Sequence, residues 1–261
     1  MTTALPFFQV DAFASGPFTG NPAAVMPLNE WLPDHVMQAI AEENNLSETA
    51  FLVPAERDDA DYDLRWFTPA VEVELCGHAT LASGHVLLHG ERVRFATKSG
   101  ILTVTRHDDL LRLDLPATKL TEVREPDLNR ALGLPDGPAW LAEGCNDAAI
   151  IEVADEAAVR AIEPDFTALK QIHRMAVVTA RGDSEDVVDR VFVPYLGIDE
   201  DPVTGSAHAA LAPYWASRLG RNEFTALQAS KRTGLLQCRL EGDRVHLGGR
   251  CHTVIVGQFQ L

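Results

Sequence analysis

The sequence predicts an α+β protein built from two related halves, and three observations carry that prediction. First, short motifs recur in the same order about half a chain apart. Arg65-Trp66-Phe67-Thr68-Pro69 is answered 125 residues later by Arg190-Val191-Phe192-Val193-Pro194. Gly77 and Gly205, 128 residues apart, each lead into a small apolar run. Lys98-Ser99-Gly100-Ile101-Leu102 is matched by Arg232-Thr233-Gly234-Leu235-Leu236 at a spacing of 134. Ordered self-similarity of this kind is the mark of a duplicated architecture. Second, Thr80–Leu88 and His208–Trp215 are apolar nearly all round, which predicts helices enclosed by sheet. Third, Leu102-Thr103-Val104-Thr105 and Leu111-Arg112-Leu113-Asp114-Leu115 alternate as half-buried strands do. Arg106–Asp109 and Glu241–Arg244 are the matching hairpin turns.

Each half therefore reads as strand, Gly-led turn, buried helix, loop and β-hairpin. The first half covers 1–116, with its central helix near 77–89. The second covers 117–261, with its central helix near 205–219, and the last few residues are free to pair back into the first half. An amphipathic helix is expected from Asp34 to Asn45, with Val36, Ile40 and Ala41 inward. Pro116 to Pro138, rich in proline and charge, reads as the linker. Gly248-Gly249 reads as a turn before a strand that starts at Arg250-Cys251-His252.

Composition excludes several classes. With 22 basic and 38 acidic residues among 261, the net charge is −16, which disfavours a nucleic-acid surface because phosphate binding needs clustered Lys and Arg. No run of about 18 apolar residues suggests a membrane span. Met1–Asp11 lacks the basic and apolar regions of a signal peptide, so a cytoplasmic protein is expected. The four cysteines (Cys76, Cys145, Cys238 and Cys251) form no C-x-x-C and read as free thiols. Neither the His/Cys spacings of a metal site nor a Gly-x-Gly-x-x-Gly or Walker pattern occurs, so neither a metal nor a nucleotide cofactor is expected.

The two Gly-led helix starts are the centre of the functional reading. A helix N-terminus carries unpaired N–H groups and partial positive charge, and glycine admits a ligand close to the backbone. Such a terminus is a ready carboxylate site. The duplication implies two of them, Gly77 and Gly205, facing one interdomain cleft and holding a small anionic metabolite. Glu48, between a helix end and an apolar strand, is a candidate proton carrier whose pKa burial would raise. His78 is placed to orient substrate, and Asp201 heads the second turn. Ser206 has a hydroxyl to offer, and Cys76 adjoins Gly77. Each has an ordinary alternative role: Glu48 and Ser206 as caps, His78 and Cys76 as buried core, Asp201 as an N-cap or turn former.

Leu46-Ser47-Glu48-Thr49-Ala50-Phe51, Leu64–Pro69, Leu75-Cys76-Gly77-His78-Ala79-Thr80 and Glu200-Asp201-Pro202-Val203-Thr204-Gly205-Ser206 together closely resemble the PhzF-like (phenazine-biosynthesis-like) proteins. The opening Gln9–Phe13 and Gly20-Asn21-Pro22-Ala23-Ala24-Val25 do so too. The resemblance runs from about Leu5 to the C-terminus. It implies a diaminopimelate-epimerase-like fold: two pseudo-symmetric halves, each a curled, mostly antiparallel sheet wrapped around a central helix, with the active site between them. It implies a cofactor-independent isomerase. In the phenazine member a carboxylate carries a proton from C3 of trans-2,3-dihydro-3-hydroxyanthranilate to C1. By motif that acid/base is Glu48, with His78 and Asp201 as further catalytic positions. Ser47, Cys76, Gly77, Gly205 and Ser206 are the implied substrate contacts. Relatives of this kind often form homodimers, although no sequence feature fixes an interface here.

The epimerases of this fold use one cysteine from each half. Cys76 stands at the first place, but no cysteine lies between Cys145 and Cys238 to supply the second. One-base chemistry through Glu48 survives that test better than two-thiol racemisation. Two further readings stay open: a non-catalytic protein that binds a small carboxylate, and, lower, an amino-acid epimerase.

Overall fold

The computed structural model describes residues 4–144 and 147–261. Cys145, expected to be a free thiol, lies outside the described residues. The chain divides into two compact units, residues 1–114 with 248–261, and residues 115–247. The first half supplies β1 (Ala4–Ala12), β2 (Asn21–Pro27), α1 (Asp34–Asn44), β3 (Glu48–Pro54), β4 (Tyr62–Phe67), β5 (Glu72–Val73), α2 (Gly77–Leu87), β6 (Arg92–Thr97), β7 (Gly100–His107) and β8 (Leu110–Pro116). Then follow β9 (Leu120–Arg124), α3 (Pro126–Ala131), β10 (Pro138–Ala142), β11 (Ala149–Glu152), α4 (Glu156–Arg160), α5 (Phe166–Ile172), β12 (Ala176–Arg181), β13 (Val187–Val193) and β14 (Ile198–Asp201). The last elements are α6 (Gly205–Leu219), β15 (Glu223–Gln228), β16 (Gly234–Glu241), β17 (Arg244–Gly249) and β18 (Cys251–Gln260).

Strand pairing repeats between the units. In the first, β18 and β1 are antiparallel, as are β1 and β2; β2 and β3 are parallel, β3 and β4 antiparallel, β4 and β6 parallel, and β6 and β7 antiparallel. In the second, β9, β10 and β11 are successively antiparallel; β11 and β12 are parallel, β12 and β13 antiparallel, β13 and β15 parallel, and β15 and β16 antiparallel. The short strands β5 and β14 pair with β4 and β13 in the same way. The duplication read from the motifs is thus a duplication of sheet order.

Each sheet wraps a helix with almost no polar face. In α2, residues Gly77–Gly84 are buried, and the helix packs on β1, β2, β3, β7 and β18. A Cβ at Gly84 would lie 2.6 Å from Cγ1 of Val104 on β7, so only glycine allows this approach of helix to sheet. In α6 every residue from Gly205 to Ala216 is buried except the partly exposed Pro213. Pro213 has no N–H for the carbonyl of Ala209 one turn back. The amide of Thr118 donates to that oxygen instead, at 3.4 Å. Trp215 Nε1 donates to Thr179 Oγ1 on β12 at 3.0 Å, and Tyr214 Oη donates to Glu152 Oε2 on β11 at 2.8 Å.

The other faces of the sheets are covered by the smaller helices. Met26, Phe51 and Val53 bury against Met37, Ile40 and Ala41 of α1. Met37 takes the inward place that the sequence assigns to Val36, which packs at the margin. The stretch Pro116–Pro138 is not a bare linker: β9 pairs with β10, and α3 buries Leu128 and Ala131 against Leu169, Val178 and Phe192. Pro126 begins α3, where its missing N–H has no helical partner to lose. Gly248-Gly249 is strand rather than turn, since β17 runs through both.

Candidate active site

The backbone of the first unit sets Glu48 in place before any side chain acts. Helix α1 ends at Asn45, whose φ of 47° is the left-handed C-cap that asparagine tolerates, and whose N–H returns to Ala41 O. The chain then reverses into β3. Asn44 Nδ2 donates to Thr49 Oγ1 at 3.1 Å and ties the reversal down. Glu48 is the first residue of β3, and register sets it beside Ala23 of the parallel strand β2. Side chains two apart on a strand share a face, so Asn21 at the start of β2 lies on the side of Glu48. Ser47 precedes Glu48 and is half-buried.

Helix α2 brings the remaining groups. Cys76 is its N-cap residue, in extended conformation and without a side-chain capping bond. The first amide to bond back is that of Thr80, which donates to Cys76 O at 3.3 Å, while Thr80 Oγ1 donates to the same oxygen at 2.5 Å. Gly77 and His78 therefore precede the intrahelical ladder, and their amides form the positive end of the helix. His78 is 3% exposed. Its Nε2 lies 3.0 Å from Glu48 Oε2, whose side chain is 14% exposed. Its other nitrogen, Nδ1, faces Asn21 Nδ2 at 3.2 Å and Cys76 Sγ at 3.5 Å.

Burial, reinforced by Glu48, pushes the Cys76 thiol up to about 11, so it stays protonated at neutral pH. Burial works against a charged His78, whereas Cys76 and Glu48 favour it, and the net direction is well above the ordinary imidazole value. Glu48, Cys76 and His78 place three donor atoms within 4.8 Å of one another, the donor types of a transition-metal site. However, the sulfur faces Nδ1 and the carboxylate faces Nε2. An ion bound through one ring nitrogen would need one of them to move, so the arrangement suits a proton relay across the ring.

In the second unit, Asp201 ends β14 and Thr204 is the N-cap residue of α6. Asp201 is therefore not the N-cap; its Oδ2 accepts from Thr204 Oγ1 at 2.5 Å. Gln228 of β15 clamps the turn, accepting from Thr204 N at 2.7 Å and donating to Asp201 O at 2.7 Å. Ser230 Oγ donates to Pro202 O at 2.8 Å. Gly205 and Ser206 open the helix, and the first amide to bond back is that of His208, to Thr204 O at 3.3 Å. Beneath them, His208 Nδ1 lies 2.9 Å from Thr204 O and Nε2 lies 3.1 Å from Asp189 Oδ2; His208 and Asp189 are both wholly buried.

Of the residues singled out from sequence, Glu48, Cys76, Gly77 and His78 come together at one helix start, with Ser47 beside them. Asp201, Gly205 and Ser206 come together at the other. Asn21, Gln228 and the Asp189–His208 pair were not singled out, although Asn21 sits in the quoted motif Gly20–Val25. Glu200, quoted in the second motif, is engaged elsewhere: Arg190 grips it with two hydrogen bonds, of 2.7 and 3.0 Å.

Two repeated units, each a sheet curled on a buried helix, define the diaminopimelate-epimerase-like class of fold. Within that class the chain belongs to the family described as phenazine biosynthesis-like proteins, whose pattern matches residues 10–257. An uncharacterized isomerase of Pseudomonas aeruginosa is 51% identical, the match covering 98% of this chain and 99% of that one. A crystal structure of a PhzF-family phenazine biosynthesis protein from Enterococcus faecalis superposes with a TM-score of 0.89 at 44% identity, covering 99% of this chain and all of the other. A predicted epimerase of Pseudomonas aeruginosa, 22% identical, covers 98% of this chain and 99% of its own with a TM-score of 0.77, and shares the fold.

Proposed function

We propose that this chain is a cofactor-independent isomerase that moves a proton on a small carboxylic acid, of the dihydro-hydroxyanthranilate kind. The reading rests above all on one contact: the Glu48 carboxylate against His78 Nε2 at 3.0 Å, beside the amide-bearing start of α2. In the proposed reaction a ring C–H bond breaks and Glu48 takes the proton. The electron pair spreads toward the substrate carboxylate as an enolate-like anion. That anion is stabilised by oriented amides at Gly77 and His78. The O–H bond on Glu48 then breaks and a new C–H bond forms at a second carbon, so nothing is oxidised or reduced. Asp201, Gly205 and Ser206 are proposed as further substrate contacts, and Ser47 as a neighbour that orients Glu48. The isomerase names carried by relatives support the same reaction class.

A buried thiol held near 11 is a poor base at neutral pH, which favours the carboxylate mechanism over a thiol-based epimerase. The test is solvent exchange. Hydroxyanthranilate-like and other unsaturated carboxylic acids are incubated with the protein in heavy water, and deuterium at carbon is read by mass spectrometry. Exchange is expected with wild type. Glu48→Gln should lose about 10²–10⁴-fold of it while still binding ligand. Binding across the panel with no exchange would favour the carboxylate-binding alternative, and full exchange by Glu48→Gln would remove Glu48 from its role.

A further inference from the structure

Asn21 is wholly buried and its amide is aimed at the far side of the ring that touches Glu48. Its position is built in by the backbone. Gly20 takes φ +79°, and a Cβ there would lie 2.4 Å from Ala12 O, so the chain enters β2 by a route that only glycine permits. Antiparallel register then sets Asn21 against Ala12. The result is a contact of 3.2 Å between Asn21 Nδ2 and His78 Nδ1, across 57 residues of sequence.

An amide nitrogen only donates. The second neighbour of Nδ1, the Cys76 thiol at 3.5 Å, is protonated at neutral pH and also donates. A ring nitrogen faced by two donors meets them with its lone pair. The proton of a neutral ring is then carried by Nε2, which lies 3.0 Å from the Glu48 carboxylate.

We propose that Asn21 is a positioning residue that holds the neutral form of His78 as the Nε2–H tautomer, so that the ring turns its N–H side to Glu48 and orients that carboxylate toward a proton on carbon. The inference deepens the isomerase reading and rests on it for its catalytic meaning; the tautomer itself is a property of the free protein. The groups facing the ring are Asn21 from β2, Glu48 from β3 and Cys76 from the turn before α2. Glu48 pulls the ring toward the doubly protonated cation, and the Asn21 donor opposes it by occupying Nδ1. A carboxylate in place of the amide would reverse that opposition, because Nδ1–H would then have an acceptor.

The experiment is nitrogen NMR on protein labelled with 15N-histidine, without ligand, titrated upward in pH until the ring is neutral, with the His78 signals assigned by their loss in His78→Gln. Once neutral, the wild-type ring is expected to give a lone-pair signature at Nδ1 and a protonated signature at Nε2. Asn21→Asp should convert Nδ1 to the protonated signature, with the fold checked by circular dichroism. Cys76→Ala should keep the wild-type pattern. A protonated Nδ1 in the neutral wild-type ring overturns the proposal outright, even if no variant folds. A change in Cys76→Ala with none in Asn21→Asp would overturn it in favour of the thiol. Because no substrate is present, failure here is distinct from failure of the exchange assay, which tests the reaction itself.

Discussion

The two helix starts derive from the same repeated design and have been put to different uses. At α2 the second helical residue is His78, reaching a partly exposed carboxylate. At α6 the matching residue is Ser206, and the histidine stands two positions deeper, as His208, locked to Asp189 with no solvent contact. The first arrangement leaves a titratable group at the surface of its unit. The second consumes its ionisable groups in holding a turn, alongside Gln228 and Ser230. One start thus keeps a carboxylate with some exposure, while beneath the other the acid and the imidazole are tied to each other. On the proposed reading, substitution of Glu48 at the first start acts on chemistry, whereas substitution of the buried Asp189–His208 pair beneath the second acts on stability.

The sharpest way to break this comparison is to set Glu48→Gln beside Asp189→Asn. Glu48→Gln is expected to silence exchange with little change in thermal midpoint. Asp189→Asn strands a buried imidazole and should cost about 3–5 kcal/mol of stability by urea unfolding. The pair also has a pH signature. Burial lowers the proton affinity of His208, Asp189 raises it, and the net direction is up. A raised folded-state value stabilises fully below the unfolded imidazole value of about 6.5 and loses that contribution as pH rises through the folded value. Unfolding free energy should therefore fall with rising pH above about 6.5, and His208→Gln should flatten that dependence. A flat wild-type profile would show that the pair is neutral.

A smaller effect is expected from packing. The counterpart of Gly84, 128 residues on, is Ala212. Gly84→Ala copies the second unit into the first, where Val104 leaves no room, and should cost about 1–3 kcal/mol; a neutral result would mean that β7 yields. The matched arginines should differ in the same direction as the two starts. Arg65 and Arg190 each hold a glutamate with two bonds and lie over a phenylalanine. The third arm of Arg65 reaches exposed Asp34, whereas that of Arg190 reaches Ile162 O at 2.8 Å. Arg190→Ala should destabilise by about 1–3 kcal/mol and Arg65→Ala by less. The mildest prediction concerns Cys76. With its thiol near 11, roughly a thousandth is ionised at pH 8, so alkylation by iodoacetamide should be slow and should accelerate up to that value.

Much of this was legible in the sequence because it depends on local pattern. The repeat, the buried helices and the hairpins follow from periodicity and from glycine placement. The position of Glu48 at the mouth of a strand follows from Asn44-Asn45 ahead of an apolar run. What escaped was pairing at a distance. The contact of Asn21 with His78 spans two strands and a helix, and nothing in the composition of either segment marks it. Asp189 sits in a strand of valines, where its burial is matched by a histidine supplied from α6, beyond β14. Pro116–Pro138 looked like a linker because its charges are frequent, but Leu128 and Ala131 alone suffice to bury α3. Met37 displaced Val36 because the helix is rotated slightly from the face that the branched residues suggest.

The order of the outer strands has a consequence for synthesis. β18 follows the second hairpin yet pairs with β1 in the first unit, whereas β9 and β10 pair as neighbours within the second. Strand β1 thus waits for β18 before its outer neighbour exists. During synthesis β1 keeps an unpaired border until β18 has been made, and a first half cut off after β8 would lack the strand that closes it, whereas the second half would keep its own border strand β9. Such far-separated pairing also makes for slow folding. The first unit is, in that sense, completed only by residues that follow the second.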